Sequence, residues 1–351
     1  MTFLLMIACS GAPEPETPVE PAEAEPQVDP LAKELLPKAQ GSFKALPERM
    51  DGETPATQAQ IDLGRQLYYD ARLSKNQDVS CNSCHQLDGY GVDGEPTSPG
   101  HKGQRGDRNS PTSFNAAVHI AQFWDGRAAT VEEQAKGPVL NPVEMAMPDE
   151  ASVVAVLKSI PEYETAFKAA FPDAEDPITY DNMAAAIGAF ERGLVTPAPI
   201  DAYLGGDLAA LSTEELKGMQ TFLEVGCQTC HMGVAIGGTQ YRKLGERVPF
   251  ETEDKGLGAL KGDPNQDFMF KVPSLRNIEK TGPYFHDGSV ATLSEAVTLM
   301  GKHQLDVELS EQQVSEITTF LGALTGSVDA EYCKQPEAFA SGEKTPAPDP
   351  S

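Results

Sequence analysis

The chain has 351 residues, 40% of them hydrophobic, and a formal net charge of −26 at pH 7. That length supports two domains of ordinary size, each with a buried core. The charge argues against nucleic-acid binding, which needs clustered Lys and Arg on the phosphates, and against docking on anionic membranes. It favours encounter with a basic partner at a salt-sensitive rate, or serves solubility alone.

In chain order, the longest apolar run covers residues 3–9 and is too short to span a membrane. It resembles the end of a secretion signal that lacks its charged first region. Met6-Ile7-Ala8-Cys9 loosely resembles a lipoprotein cleavage box, with Cys9 as the lipidated residue. Residues 11–30 are mostly Pro, Glu and Ala, without Lys or Arg, a composition that builds a tether and not a core. Residues 1–30 are therefore expected to be a signal remnant and acidic tether. The expected location is the periplasm, with membrane contact only through an N-terminal lipid anchor.

Thr57-x-x-Gln60 forms a capping box, followed by Ile61, Gly64, Leu67 and Tyr68 on one helical face. Ser212-x-x-Glu215 forms another, followed by Leu216, Met219, Phe222 and Leu223. Gly64-Arg65-Gln66-Leu67-Tyr68 echoes Gly218-Met219-Gln220-Thr221-Phe222, and a cysteine pair follows each, which points to a duplicated unit. Further helices are expected at 151–160 and 180–192, from about Leu293, and at 311–324 behind the Ser310/Gln313 box. Pro197, Pro199, Gly205 and Gly206 mark a domain junction near residue 200. No alternating strand pattern persists. The expected fold is mainly α, in two domains with long irregular loops. The boundaries are 31–197 and 198–335, with a flexible tail at 336–351.

The haem reading rests on Cys81-Asn82-Ser83-Cys84-His85 and Cys227-Gln228-Thr229-Cys230-His231, both C-x-x-C-H. Two thiols at this spacing bond to the two vinyl groups of one haem, and the adjacent histidine becomes the proximal iron ligand, so the expected fold is two c-type cytochrome domains, each around one covalently bound haem. A redox dithiol does not need the histidine. A zinc site would pair the motifs, yet 142 residues separate His85 from Cys227. Cys333 stands alone and reads as a plain thiol.

The other axial position decides between electron transfer and chemistry. The remaining histidines are His101, His119, His286 and His303. His101 lies in a loop with Gly89, Gly91, Gly94, Gly100, Gly103 and Gly106, which is cheap to rearrange. It reads either as a displaceable ligand or as a solvated surface histidine. Near the second motif, Met300 and His303 sit at the helix expected from Leu293. A thioether there raises the reduction potential, as suits electron entry, although Met300 also fits as core filler.

Several segments together resemble one family, the bacterial dihaem cytochrome c peroxidases, over about residues 63–326. They are Arg108-Asn109-Ser110-Pro111-Thr112, Phe123-Trp124-Asp125-Gly126-Arg127, Gly137-Pro138-Val139-Leu140-Asn141-Pro142-Val143-Glu144-Met145, Lys271-Val272-Pro273-Ser274-Leu275-Arg276-Asn277 and Pro283-Tyr284-Phe285-His286-Asp287-Gly288. The resemblance implies a peroxidatic haem in the first domain and an electron-transfer haem in the second. It assigns His101 as displaceable ligand of the first iron and Met300 as ligand of the second. Trp124 falls between the haems, Gln134 and Glu144 in the peroxide pocket. Asn109, Thr281 and Pro283 fall at a Ca2+ site. The implied activity is reduction of hydrogen peroxide by a small soluble donor, a cytochrome c or copper protein, in a homodimer. The dihaem enzymes that mature the quinone cofactor of methylamine dehydrogenase share these motifs but carry a tyrosine where Met300 stands. A dihaem electron carrier without peroxidase activity and such a dihaem oxidase remain the alternatives.

Overall fold

The computed structural model describes residues 28–52 and 54–351. The proposed lipidation residue Cys9 and nearly all of the acidic tether lie outside them. The chain runs through α1 (Pro30–Ser42), α2 (Gln58–Tyr68), α3 (Cys81–Cys84), α4 (Val131–Leu140), α5 (Glu150–Lys158), α6 (Pro161–Ala170), α7 (Tyr180–Glu191), α8 (Pro199–Leu204), α9 (Thr213–Val225), α10 (Leu257–Lys261), α11 (Leu293–Met300) and α12 (Glu311–Gly322). One short antiparallel ribbon joins β1 (Tyr241–Lys243) to β2 (Met269–Lys271), with Arg242 opposite Phe270. Among the described residues no helix is long and apolar enough to cross a membrane.

Local chemistry sets the helix starts. Thr57 with Gln60, Ser212 with Glu215 and Ser310 with Gln313 form complete capping boxes at α2, α9 and α12. Two helix pairs then build two cores by the same device. Gly64 on α2 lets the helix press against the Ala186 carbonyl of α7, and Gly218 on α9 presses against the Glu316 carbonyl of α12. Beside each crossing an aromatic pair meets edge to face. Tyr68 and Phe190 have centroids 5.4 Å apart in the first core, and Phe222 and Phe320 5.3 Å apart in the second. Such pairs add about 0.5–1.5 kcal/mol beyond their burial. The duplication expected from the Gly64 and Gly218 segments is thus a duplication of packing.

The chain ends do not follow the expected boundaries. Helix α1, assigned to the first domain, packs on the second core through Ala32, Leu35, Ala39 and Phe43. These residues form one helical stripe, and Phe43 lies 6.1 Å from Phe222 and 6.2 Å from Phe320. Tyr203 donates to the Ala32 carbonyl at 2.6 Å. The tail expected to be flexible instead lies along the first core. Its Phe339 meets Tyr163 edge-on at 5.0 Å, and just ahead of it Tyr332, assigned to the second domain, stacks on Phe190 at 5.2 Å. Arg72 donates to the Phe339 carbonyl and Gln66 to that of Glu337. Its few aromatic residues anchor an otherwise polar segment.

A Cβ at position 64 would run into the Ala186 carbonyl and the Phe190 Cβ, neither of which can swing aside, so Gly64→Ala is expected to cost about 1–3 kcal/mol. Thermal unfolding checks this against Gly106→Ala, where nothing stands within 4 Å and no loss is expected.

Candidate functional site

Both C-x-x-C-H motifs sit where a helix pair ends. In the first, α3 makes one turn and the His85 amide donates to the Cys81 carbonyl at 3.0 Å. In the second, Gly226 ends α9 at φ 99° and the His231 amide donates to the Cys227 carbonyl at 3.0 Å. None of the four cysteines is in a disulfide. Burial pushes the Cys84 thiol up to about 11, with the Asp93 and Glu144 charges adding to it.

Burial also holds His85 below the ordinary imidazole range and His231 down at about 4, so both rings are neutral. The carbonyls of Gly91 and Pro111 approach His85, and those of Ile236 and Pro273 approach His231. The geometry falls short of a full hydrogen bond, and each Nδ1 is buried and unpartnered. A neutral imidazole whose Nδ1–H turns toward carbonyls offers its Nε2 lone pair to a metal. These residues fit c-type haem.

Pro111 and Pro273 belong to a second repeat, in which residues of the second domain stand 162 positions after those of the first. Asn115 and Asn277 are both left-handed, at φ 60° and 61°. Their side-chain amides both donate to one hydroxyl, that of the buried Thr196, at 2.8 and 2.9 Å. Phe123 and Phe285 are also a left-handed pair. Bridges Gln122–Ala128 and Tyr284–Val290 close the same turn twice. Trp124 thereby corresponds to His286, and their rings meet edge-on with centroids 6.5 Å apart. The two loops clasp reciprocally: the Asn109 amide donates to the His286 carbonyl and the Lys271 amide to the Trp124 carbonyl, both at 2.8 Å. The Trp124 indole donates to the Asn109 carbonyl at 2.9 Å.

One cavity is lined by Cys227, Cys230, His231 and Met300, together with Trp124. His303 takes no part in it. Its Nδ1 faces the Val248 carbonyl at 2.9 Å and its ring packs on Phe250, because one π-turn after Met300 rotates it away. Asn109, Thr281 and Pro283 also line this cavity. Among the described residues no three His, Cys, Asp or Glu side chains gather into a metal cluster, so a cation beside these three would meet amide and carbonyl oxygens.

The first domain differs on the distal side. Helix α4 repeats α11 from its threonine cap, Thr130 answering Thr292. The position answering Met300 is Pro138, which has no donor atom. Gln134 sits half-buried one turn earlier on the same face. The chain then folds back, with Met145 donating to the Pro138 carbonyl and Asn141 Nδ2 donating to the Glu144 carboxylate at 2.7 Å. Burial raises the Glu144 carboxyl above its usual range, while the Arg127 charge and the Asn141 hydrogen bond oppose this. His101 is buried, not solvated; its amide donates to the Glu144 carbonyl at 2.7 Å. Gly100 makes that approach feasible, since a Cβ there would meet the backbone of Val143 and Glu144. The structure therefore brings His101 and Glu144 together, and separately Met300, His231 and Trp124.

Sequence reasoning missed Thr196, Pro138, and the pair Lys271 and His119, all placed by the 162-residue offset. The repeated F-x-D-G at Phe123 and Phe285 carries that signal. Thr196→Val removes the acceptor for both Asn115 and Asn277. It is expected to cost about 1–3 kcal/mol, read by denaturant unfolding.

Comparison with known proteins bears on the same residues. The model of the di-haem cytochrome c peroxidase family matches residues 58–209. Cytochrome c551 peroxidase of Pseudomonas aeruginosa is 43% identical over 327 residues, 90% of this chain and 93% of its own. Cytochrome c551 peroxidase of Nitrosomonas europaea is 45% identical over 300 residues, 85% of this chain and 88% of its own. The crystal structure of a MauG-like protein associated with microbial copper homeostasis matches with a TM-score of 0.75 and 29% identity. That match covers 84% of this chain and 97% of the other. With its duplicated helix pairs, its two C-x-x-C-H loops and relatives matched over nearly their whole length, the chain belongs to the di-haem cytochrome c peroxidase family.

Proposed function

We propose that this chain reduces hydrogen peroxide to water with electrons from a small soluble donor, a cytochrome c or copper protein. The donor delivers at the His231/Met300 site, and electrons pass from there to the His85 site. The observation that carries this reading is the distal asymmetry: Met300 in the second domain, against Pro138 with Glu144 and His101 in the first. Haem supplies the redox chemistry and the iron that meets peroxide; the chain supplies access, protons and electron routing.

Met300 keeps the second site capped by a thioether, which suits a high potential. His101, in a glycine-rich loop that can rearrange, would be the residue that holds the first haem's open side and can give it up. Glu144 takes a proton from the inner peroxide oxygen and gives it to the outer one, acid–base work for which a raised carboxyl is suited. Gln134 holds the peroxide, and Trp124 lies along the electron route. Asn109, with the carbonyls of Thr281 and Pro283, holds Ca2+ and so orders the domain interface. The protein acts as a homodimer in the periplasm, where thiols are joined to haem.

The alternatives, a dihaem carrier and a dihaem oxidase of the quinone-maturation type, give Glu144 or Met300 no role. The deciding experiment is a half-reduced spectrum with Ca2+, followed by peroxide. A vacant first iron that consumes peroxide supports the proposal; a fully capped one that leaves peroxide untouched refutes it.

Glu144→Gln is expected to lose about 10²-fold or more of turnover while both haems still load. Asn141→Ala removes a hydrogen bond that favours the Glu144 carboxylate, so the carboxyl pKa rises further. Because the carboxylate must accept the proton, the acidic limb of the pH–rate profile is expected to move to higher pH.

A further inference from the structure

We propose that Lys271 and His119 clamp one propionate carboxylate of the haem held by Cys227, Cys230 and His231, and that the fixed Lys271 charge raises that haem's reduction potential. The inference rests on that haem being bound, not on peroxide turnover.

Lys271 is only 7% exposed and has no carboxylate partner among the described residues. Its ammonium reaches one side-chain acceptor, His119 Nδ1, at 3.3 Å. An ammonium only donates, so His119 Nδ1 accepts and the ring proton sits on Nε2. That Nε2–H is itself buried and unpartnered. Both residues line the cavity that holds His231 and Met300. One cavity wall therefore carries an uncompensated cation and a second unmet donor. A buried charge in that state is costly unless an anion arrives with the ligand. Burial alone pushes the Lys271 ammonium down to about 8, and the Lys271 charge helps hold His119 neutral. Of the groups on a haem, only the propionates are carboxylates. A carboxylate accepts from both donors at once and restores the lysine charge.

The internal repeat adds an independent argument. Lys271 answers Asn109 and His119 answers Thr281 at the 162-residue offset. Asn109 and Thr281 belong to the Ca2+ site proposed above. Where one half of the interface would recruit a cation, the other half has one built in.

The test is potentiometry of the second haem, followed by its own absorption bands, with resonance Raman of the propionate-bending mode. Lys271→Met is expected to lower the potential by about 59 mV, a tenfold shift of the equilibrium with a fixed-potential donor. The potential of the first haem should stay within threefold of the parent on the same scale. Lys271→Arg keeps the charge and is expected to hold the second-haem potential within threefold. His119→Phe is expected to move the propionate band while retaining most of the potential. A Lys271→Met protein with both haems loaded and an unmoved potential overturns the proposal. If Lys271→Met does not fold, His119→Phe decides, and an unmoved propionate band is then the refuting result. A parent protein with both haems loaded that turns over no peroxide would count against the peroxidase reading and not against this clamp.

Discussion

Two reciprocal backbone hydrogen bonds, Asn109 to His286 and Lys271 to Trp124, join the loops of the two halves. Each loop also carries the proline whose carbonyl faces a proximal histidine. Holding one loop therefore constrains His85, His231 and the Trp124–His286 contact together. Thr196 completes the arrangement by accepting from Asn115 and Asn277 at a single buried oxygen. Domain interfaces with few direct bonds usually permit relative motion. Here the fixed part of the interface runs through the loops that face the cofactors.

The halves share a scaffold and differ where chemistry must differ. Crossing glycines, aromatic pairs and threonine caps recur, whereas Met300 is answered by Pro138, Asn109 by Lys271 and Trp124 by His286. Substitutions at such positions leave the packed helix pairs intact, so a duplicated fold can divide its labour without losing stability. Glu144 and His101 belong to the half whose distal helix offers no ligand, and both are buried or raised by burial there.

Legibility in the sequence followed range. The capping boxes at Thr57, Ser212 and Ser310 are local chemistry, and α2, α9 and α12 begin one residue after them. The C-x-x-C-H motifs are equally local. What could not be read was where segments dock. Ala32, Leu35, Ala39 and Phe43 announce an amphipathic helix but not which core receives it. Phe339 and Tyr332 announce apolar anchors within a polar tail but not their seats on Tyr163 and Phe190. The pairing of Lys271 with His119 joins residues 152 positions apart and has no local pattern at all. His303 was one of two candidate donors, and only a single π-turn separates it from the cavity.

The crossing of the chain ends has a kinetic side. The first core is not closed until residues near 332 and 339 have been synthesised, and the second recruits a helix made at the outset, before residue 45. The first half therefore gains its last partners after the second has all of its own, although multidomain chains ordinarily fold from the N-terminus onward. The core on which Cys81 packs thus stays open at the face that receives Tyr332 and Phe339 until the last of the polypeptide emerges.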